Sequence, residues 1–450
     1  MNKLYPLKFI PDARERIWGG DYLAKNLGKC FDEDFAGKPI GESWELWSLY
    51  GGSSVVQNGF LAGNTLDELM EIYLGDLVGE SVYNWYKGDF PVLVKILDIK
   101  DKISVQVHPG NEIAFERENS YGKAELWYVM DAKPGAKLYV GFNKEVTPVE
   151  LYEKCKDGTV KELLNCITPK KGDCLYIQPG CIHSAEGEVV IAEIQQSSDI
   201  SYRLYDWGRE NNPATARRID LEDAIDVIDY SKFELDKFYF SQVGGNTTIA
   251  DTTNFIVKTV ELQKPVSVVP SLAGSFTVYM CIEGEAALKM NDNASYMIAK
   301  GETILVPASM DDFTLVPVNG TALLLEITMP QLAEEPDTYL NYDEPEDEAH
   351  GSYKDSVSEI SCDGETFDED DEDEDDDHVH VHDCGCGGHH HTHDCGCGHH
   401  HHNDCGCGGH HHTHDCGCSS HSQQHSHCGL DAFEEENDNV HPAQRFMRRN

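Results

Sequence analysis

The stretch Gly172-Asp173-Cys174-Leu175-Tyr176-Ile177-Gln178-Pro179-Gly180-Cys181-Ile182-His183 decides how this chain is read. A Gly-Asp pair introduces a short run of β-formers, Pro179-Gly180 ends it, and a histidine closes the turn. The layout returns without gaps at Gly301-Glu302, followed by Ala308-Ser309-Met310-Asp311-Asp312, with Asp312 in the place of His183. Lys137 to Phe142 and Val189 to Ile194 are further β-rich runs bounded by Gly, Pro or Asp. Helical spacing is confined to two segments. Thr65 to Leu74 follows Asn64, a good N-cap, and a second helix is expected from Val149 to Leu164 after Thr147-Pro148. Many short strands and few helices predict an all-β dominated sandwich or barrel. The internal echo predicts a second barrel over residues 237–330, one without histidine and therefore without a metal.

Histidine is used sparingly. Of 22 in the chain, only His108 and His183 precede residue 350. His108 lies in Gln106-Val107-His108-Pro109, and Glu125 follows in Gly122-Lys123-Ala124-Glu125. Gln106 and His108 are two apart, so on a strand both face one side and can offer an amide oxygen and an imidazole to one ion. Glu125 would add a carboxylate and His183 a second imidazole. One anionic ligand leaves a divalent ion with a net charge of about plus one, still a strong Lewis acid. Four thiolates would have quenched that acidity, so the donor set argues for chemistry rather than support. A lone strand histidine is more often a satisfied packing group. Two in separate ligand-like patterns, with none elsewhere in the body, reverse that balance.

Charge divides the molecule. Up to Pro330 the chain carries 49 Asp+Glu against 31 Lys+Arg, net −18; from Gln331 onward it carries 31 against 4, net −27. Such acidity should repel nucleic acid and anionic membranes, so an anionic substrate would need a local basic pocket. Cys30, Cys155, Cys166, Cys174, Cys181 and Cys281 have no framework spacing. The opening Met1-Asn2-Lys3-Leu4-Tyr5-Pro6 breaks too soon for a secretory signal. No uncharged apolar run approaches the roughly 20 residues of a membrane span. A reducing cytoplasm with free body thiols is expected. Nothing in the sequence fixes an oligomeric state.

Residues 331–377 read as an acidic disordered linker, ending in Asp368 to Asp377 with carboxylates alone. In the low-complexity segment 378–450, Asp-Cys-Gly-Cys-Gly-Gly-His-His-His-Thr-His-Asp-Cys-Gly-Cys occupies 383–397 and again 404–418. Thiolate pairs beside imidazole runs would take additional zinc, nickel or copper(I) with little selectivity. A tail that buffers or delivers metal and a tolerated repeat expansion both fit.

The body resembles the type I phosphomannose isomerases in their compact bacterial form. The resemblance rests on Ile17-Trp18-Gly19-Gly20, Gly41 to Glu45, Phe90 to Asp98, Ile103 to Pro109, Gly122 to Tyr128, Glu193 to Asp199 and Tyr202 to Trp207, in the family's order. It implies two cupin-type jelly-roll domains with a few short helices, 1–236 catalytic and 237–330 metal-free. It also implies one Zn²⁺ per chain on Gln106, His108, Glu125 and His183, and a catalytic role for Arg203. The implied reaction interconverts mannose 6-phosphate and fructose 6-phosphate through an enediol(ate). Glu193 occupies the family's position for a carboxylate near the sugar and is the candidate base. Metal-bound hydroxide competes for that role, and Glu193 fits equally as a structural partner for a nearby cation. Lys123 and Ser104, each neighbouring a metal ligand in sequence, are the candidates for the phosphate, ahead of Lys95. Trp44 is expected to pack; Trp18 is open between core and sugar wall. Two other readings stand beside the isomerase: a cupin metal store or sensor whose tail is the working part, and another cupin enzyme such as an iron dioxygenase. Gln106 in place of a histidine weighs against the latter.

Overall fold

Strand alternation builds the body in layers. A seven-stranded antiparallel sheet runs in the order Tyr239–Phe240, Cys174–Ile177, Glu125–Ala132, Val189–Gln196, Val92–Ile99, Asp12–Gly20 and Ile40–Leu46. On its central strands one parity joins one buried cluster: Leu126, Tyr128 and Met130; Val190, Ala192 and Ile194; Val92, Val94 and Ile96. The other parity, Trp127 and Val129, Ile191, Leu97 and Ile99, joins a second cluster with Leu138, Val140 and Ala185. Successive side chains on a strand point to opposite faces, so this sheet is covered on both. That is why every residue of Val92–Ile99 and Val189–Gln196 is buried.

The second cluster is shared with a five-stranded antiparallel sheet in the order Leu164–Ile167, Lys137–Phe142, His183–Glu186, Val105–Val107 and Tyr202–Tyr205. Its outward residues Val105, Val107, Tyr202 and Leu204 pack with Leu151 and Cys155 of the helix Pro148–Lys156. Gln106 and Arg203, of opposite parity, are therefore turned inward, towards the seven-stranded sheet.

The first cluster continues into an eight-stranded sheet whose main path is Leu7–Lys8, Thr303–Val306, Thr277–Met290, Phe313–Thr328, Ile256–Leu262 and Thr247–Asp251. The internal echo is real. Gly172 N donates to Val129 O and Val129 N to Asp173 O; Gly301 N donates to Cys281 O and Cys281 N to Glu302 O. Both glycines have positive φ, 89° and 85°, which favours glycine at these turns. Two short strands cross a boundary drawn at 236/237: Leu7–Lys8 pairs in the eight-stranded sheet and Tyr239–Phe240 in the seven-stranded one.

The structure is a computed structural model and describes residues 3–332. The expected linker at 331–377 and the His/Cys segment at 378–450 therefore lie outside the described residues, apart from Gln331 and Leu332. Two helix expectations need correction. The helix Leu66–Tyr73 is capped by Thr65, not Asn64, because Thr65 and Glu68 satisfy each other's backbone N–H in a capping box. The segment expected as one helix to Leu164 stops at Lys156. Gly158 takes φ +76°, and Val160–Leu163 forms a separate 3-10 turn. No helix among the described residues is long and apolar enough to cross a membrane.

Candidate metal centre and catalytic cavity

Register brings the candidate residues together. Across the five-stranded sheet, His183 pairs with Gln106 and Gln106 with Arg203. Across the seven-stranded sheet, Trp127 pairs with Glu193, Glu193 with Lys95 and Lys95 with Trp44. Paired residues of antiparallel strands share a face, so two rows of functional side chains confront each other between the sheets.

His108, Glu125 and His183 are buried and offer atoms within 4.8 Å of one another. His108 Nε2 lies 3.4 Å from Glu125 Oε2, and His183 Nε2 lies 3.2 Å from Glu125 Oε1. Gln106 Nε2 is 3.2 Å from His183 Nε2. Atoms bound tetrahedrally to one ion at about 2.0–2.1 Å stand roughly 3.3 Å apart, so these spacings fit ligands of a common cation. The unpartnered atoms agree: both Glu125 oxygens and His108 Nε2 are buried without a hydrogen-bond partner. A buried carboxylate without a donor is costly, and a cation at this point removes the cost. His108 Nδ1 sits 2.9 Å from Ile200 O and His183 Nδ1 3.0 Å from Cys181 O. These contacts fix the rings so that both Nε2 atoms are presented to the ion. Gln106 Oε1 accepts from Ser104 Oγ at 3.3 Å. Rotating that amide by half a turn, an exchange of two atoms of nearly equal size, turns its oxygen towards the imidazoles.

The electrostatics suit a cation. Burial, with Lys123 nearby, pushes His108 down to about 3, and burial likewise lowers His183, so both imidazoles are neutral donors. Burial opposes the charge on Glu125. The groups around it, the Lys123 ammonium 3.6 Å from Oε2 among them, outweigh that cost and hold the carboxyl well below the usual range.

A cavity of about 420 Å³ opens beside this cluster, with Gln106, Ser104, Lys123, Glu193, Trp18 and Arg203 among its walls. Glu193 is buried, accepts from Trp127 Nε1 at 2.8 Å, and lies 3.4 Å from Lys95 Nζ. Burial and the charge on Glu125 raise its carboxyl to about 6, in part offset by Lys95 and Lys123. Arg203 donates through Nη1 to Arg218 O at 2.7 Å, while its Nε is buried without a partner. Trp18 stands in the cavity wall. Trp44 packs as expected: its Nε1 donates to Glu42 at 2.7 Å, and the Arg14 guanidinium lies 4.2 Å over its ring.

Sequence reading missed three contributors. Trp127 could have been found from its spacing, two residues beyond Glu125 on one strand. Asp206 and Arg217 carried no such signal, because the loop that joins them is irregular.

The layered strands and the buried His/Glu/His cluster define a metal-binding β protein of cupin type. Its family is equally plain: residues 7–135 match phosphomannose isomerase type I, catalytic domain, and residues 245–325 match mannose-6-phosphate isomerase, cupin domain. Mannose-6-phosphate isomerase ManA of Bacillus subtilis (strain 168) is 34% identical over 315 residues, covering 69% of this chain and 95% of that protein. The mannose-6-phosphate isomerase of Streptococcus mutans serotype c is 33% identical over 312 residues, 67% of this chain and 92% of that one. The crystal structure of the Bacillus subtilis mannose 6-phosphate isomerase matches with a TM-score of 0.61 at 27% identity, over 72% of this chain and all of that one. This chain belongs to the type I phosphomannose isomerase family, and its two strand assemblies are the expected cupin-type jelly rolls.

Proposed function

We propose that this protein interconverts mannose 6-phosphate and fructose 6-phosphate, with one zinc ion per chain on Gln106, His108, Glu125 and His183. The observation that carries the reading is a single cavity that joins the buried ligand cluster to a guanidinium, Arg203, and to a carboxylate of raised proton affinity, Glu193. A metal store would have no use for the latter two.

Isomerisation moves a proton between C2 and C1. Glu193 takes the C2 proton; the C–H electron pair forms the C1–C2 double bond, and the carbonyl pair moves onto O1. A proton passes from O2 to O1, and Glu193 returns its own to C1, leaving a carbonyl at C2. A carboxylate near 6 is matched to this task, basic enough to accept and acidic enough to return. Trp127 Nε1 and Lys95 hold it in place. Bound zinc would supply Lewis acidity towards the sugar oxygens. The Arg203 guanidinium stabilises the oxyanion as it develops. Lys123 and Ser104, the expected phosphate ligands, stand beside Glu125 and Gln106, which supports a role for them at the oxygens of the sugar's reacting end.

A coupled assay with mannose 6-phosphate, with and without chelator, tests the reading; absence of turnover by metal-loaded protein would sink it. Arg203→Ala should keep the metal and lose roughly 10²–10³-fold in kcat. Near-normal rates would remove Arg203 from the mechanism. For the tail we propose binding of zinc, nickel or copper(I) that keeps the body's site supplied. A chain ended after residue 335 should work normally in ample zinc and lose activity sooner under chelator. Equal resistance to chelator would count against supply. No disulfide joins Cys155, Cys166, Cys174, Cys181 or Cys281, which supports a cytoplasmic setting.

A further inference from the structure

The cavity wall carries one cation, Arg217, that the reaction at C1 and C2 does not use. Arg217 lines it together with Arg203. Asp206, fully buried, holds Arg217 at two points: Nε donates to Oδ2 at 2.9 Å, and Nη2 donates to Oδ1. Arg209 Nη2 donates to the same Oδ1 at 2.7 Å. This hold fixes the plane of the Arg217 guanidinium and leaves the two Nη1 hydrogens and one Nη2 hydrogen without an assigned acceptor. Arg203 adds a second charge, tied through Arg218 O to the residue after Arg217. Burial and the repulsion from Arg217 both lower its proton affinity. One buried carboxylate thus positions both Arg217 and Arg209, and Arg217 keeps donors beyond those Asp206 uses.

Lys123 and Ser104 are occupied beside the metal ligands, and Arg203 pairs in register with Gln106. Arg217 reaches the cavity from a different segment, the chain beyond the strand Tyr202–Tyr205. A sugar phosphate with C1 and C2 at the ligand cluster carries its phosphate on C6, at the opposite end of its carbon chain. We propose that Arg217, positioned by Asp206, is the residue that receives the substrate's phosphate and so selects a phosphorylated sugar. A guanidinium held in plane is suited to two-point contact with phosphate oxygens. The assignment rests on the isomerase reading above for the identity of the substrate, but not for the anion site itself.

Arg217→Gln tests it, with Arg217→Lys beside it, since lysine keeps the charge and loses the two-point hold on Asp206. With folding and metal content unchanged, Arg217→Gln should raise KM for mannose 6-phosphate by about 10–100-fold and leave kcat within a few-fold. Arg217→Lys should fall between it and the parent protein. Inorganic phosphate, titrated calorimetrically into the metal-loaded full chain, should bind the parent and be weakened by a similar factor in Arg217→Gln. Equal phosphate binding by both, no phosphate binding by the parent, or a fall in kcat at unchanged KM would each overturn the assignment. A parent protein that binds phosphate through Arg217 yet is inert towards mannose 6-phosphate would instead overturn the isomerase reading and leave the anion site standing.

Discussion

His183→Ala should empty the metal site and slow turnover by roughly 10³-fold or more. His183 opens the strand His183–Glu186, is fully buried, and faces both Glu125 Oε1 and the edge of the Trp127 ring, 5.4 Å between centroids. Removing the imidazole takes away a neutral donor and leaves Glu125 with one histidine fewer against its buried charge. No neighbour can stand in, because no other histidine lies among the described residues besides His108. Elemental analysis alongside the coupled assay is the check. A variant with a full complement of metal and near-normal turnover would show that the ion does not depend on this cluster. Circular dichroism separates loss of the ion from loss of the fold.

Glu193→Gln should keep the metal and lose about 10²–10⁴-fold in kcat. The accompanying pH profile is sharper evidence than the rate. The working form of a general base is the ionised one, so activity rises as pH climbs through the group's pKa and falls below it. Burial and the Glu125 charge place that point at about 6, not in the ordinary glutamate range. A cation on Glu125 offsets its repulsion, so in the loaded protein the acidic limb should fall between the ordinary glutamate range and 6, held up by burial. In Glu193→Gln the limb should vanish from whatever activity remains. Persistence of the same limb in the variant would assign it to another group and strip Glu193 of the role of base.

Much of the layered architecture was legible because strand parity leaves a direct trace in sequence. Val189 to Ile194 is apolar apart from Glu193 because both faces of its sheet are covered, and Gln106, one polar residue between Val105 and Val107, marks an inward face. The pairing of Gly172 with Gly301 survived as a repeat because both turns need positive φ. Helix limits were less legible. Thr65 takes the cap from Asn64 because its hydroxyl and the Glu68 carboxylate close a reciprocal pair. The polar helix Asn111–Glu118 buries only Ala114, so it carries no apolar stripe to read. The ligand candidates could be named from two-residue spacing and the rarity of histidine. The Asp206–Arg217 pair could not, since its partners are joined by irregular chain and meet only through the fold.

We propose that one ion on Gln106, His108, Glu125 and His183 makes this cavity an isomerase. The most direct test measures zinc content and mannose 6-phosphate turnover together, on the chain ended after residue 335, while chelator strips the ion. One equivalent of zinc should be present, lost in step with activity and restored with it on readdition. Full turnover by zinc-free protein, or a loaded site that turns over nothing, would contradict it.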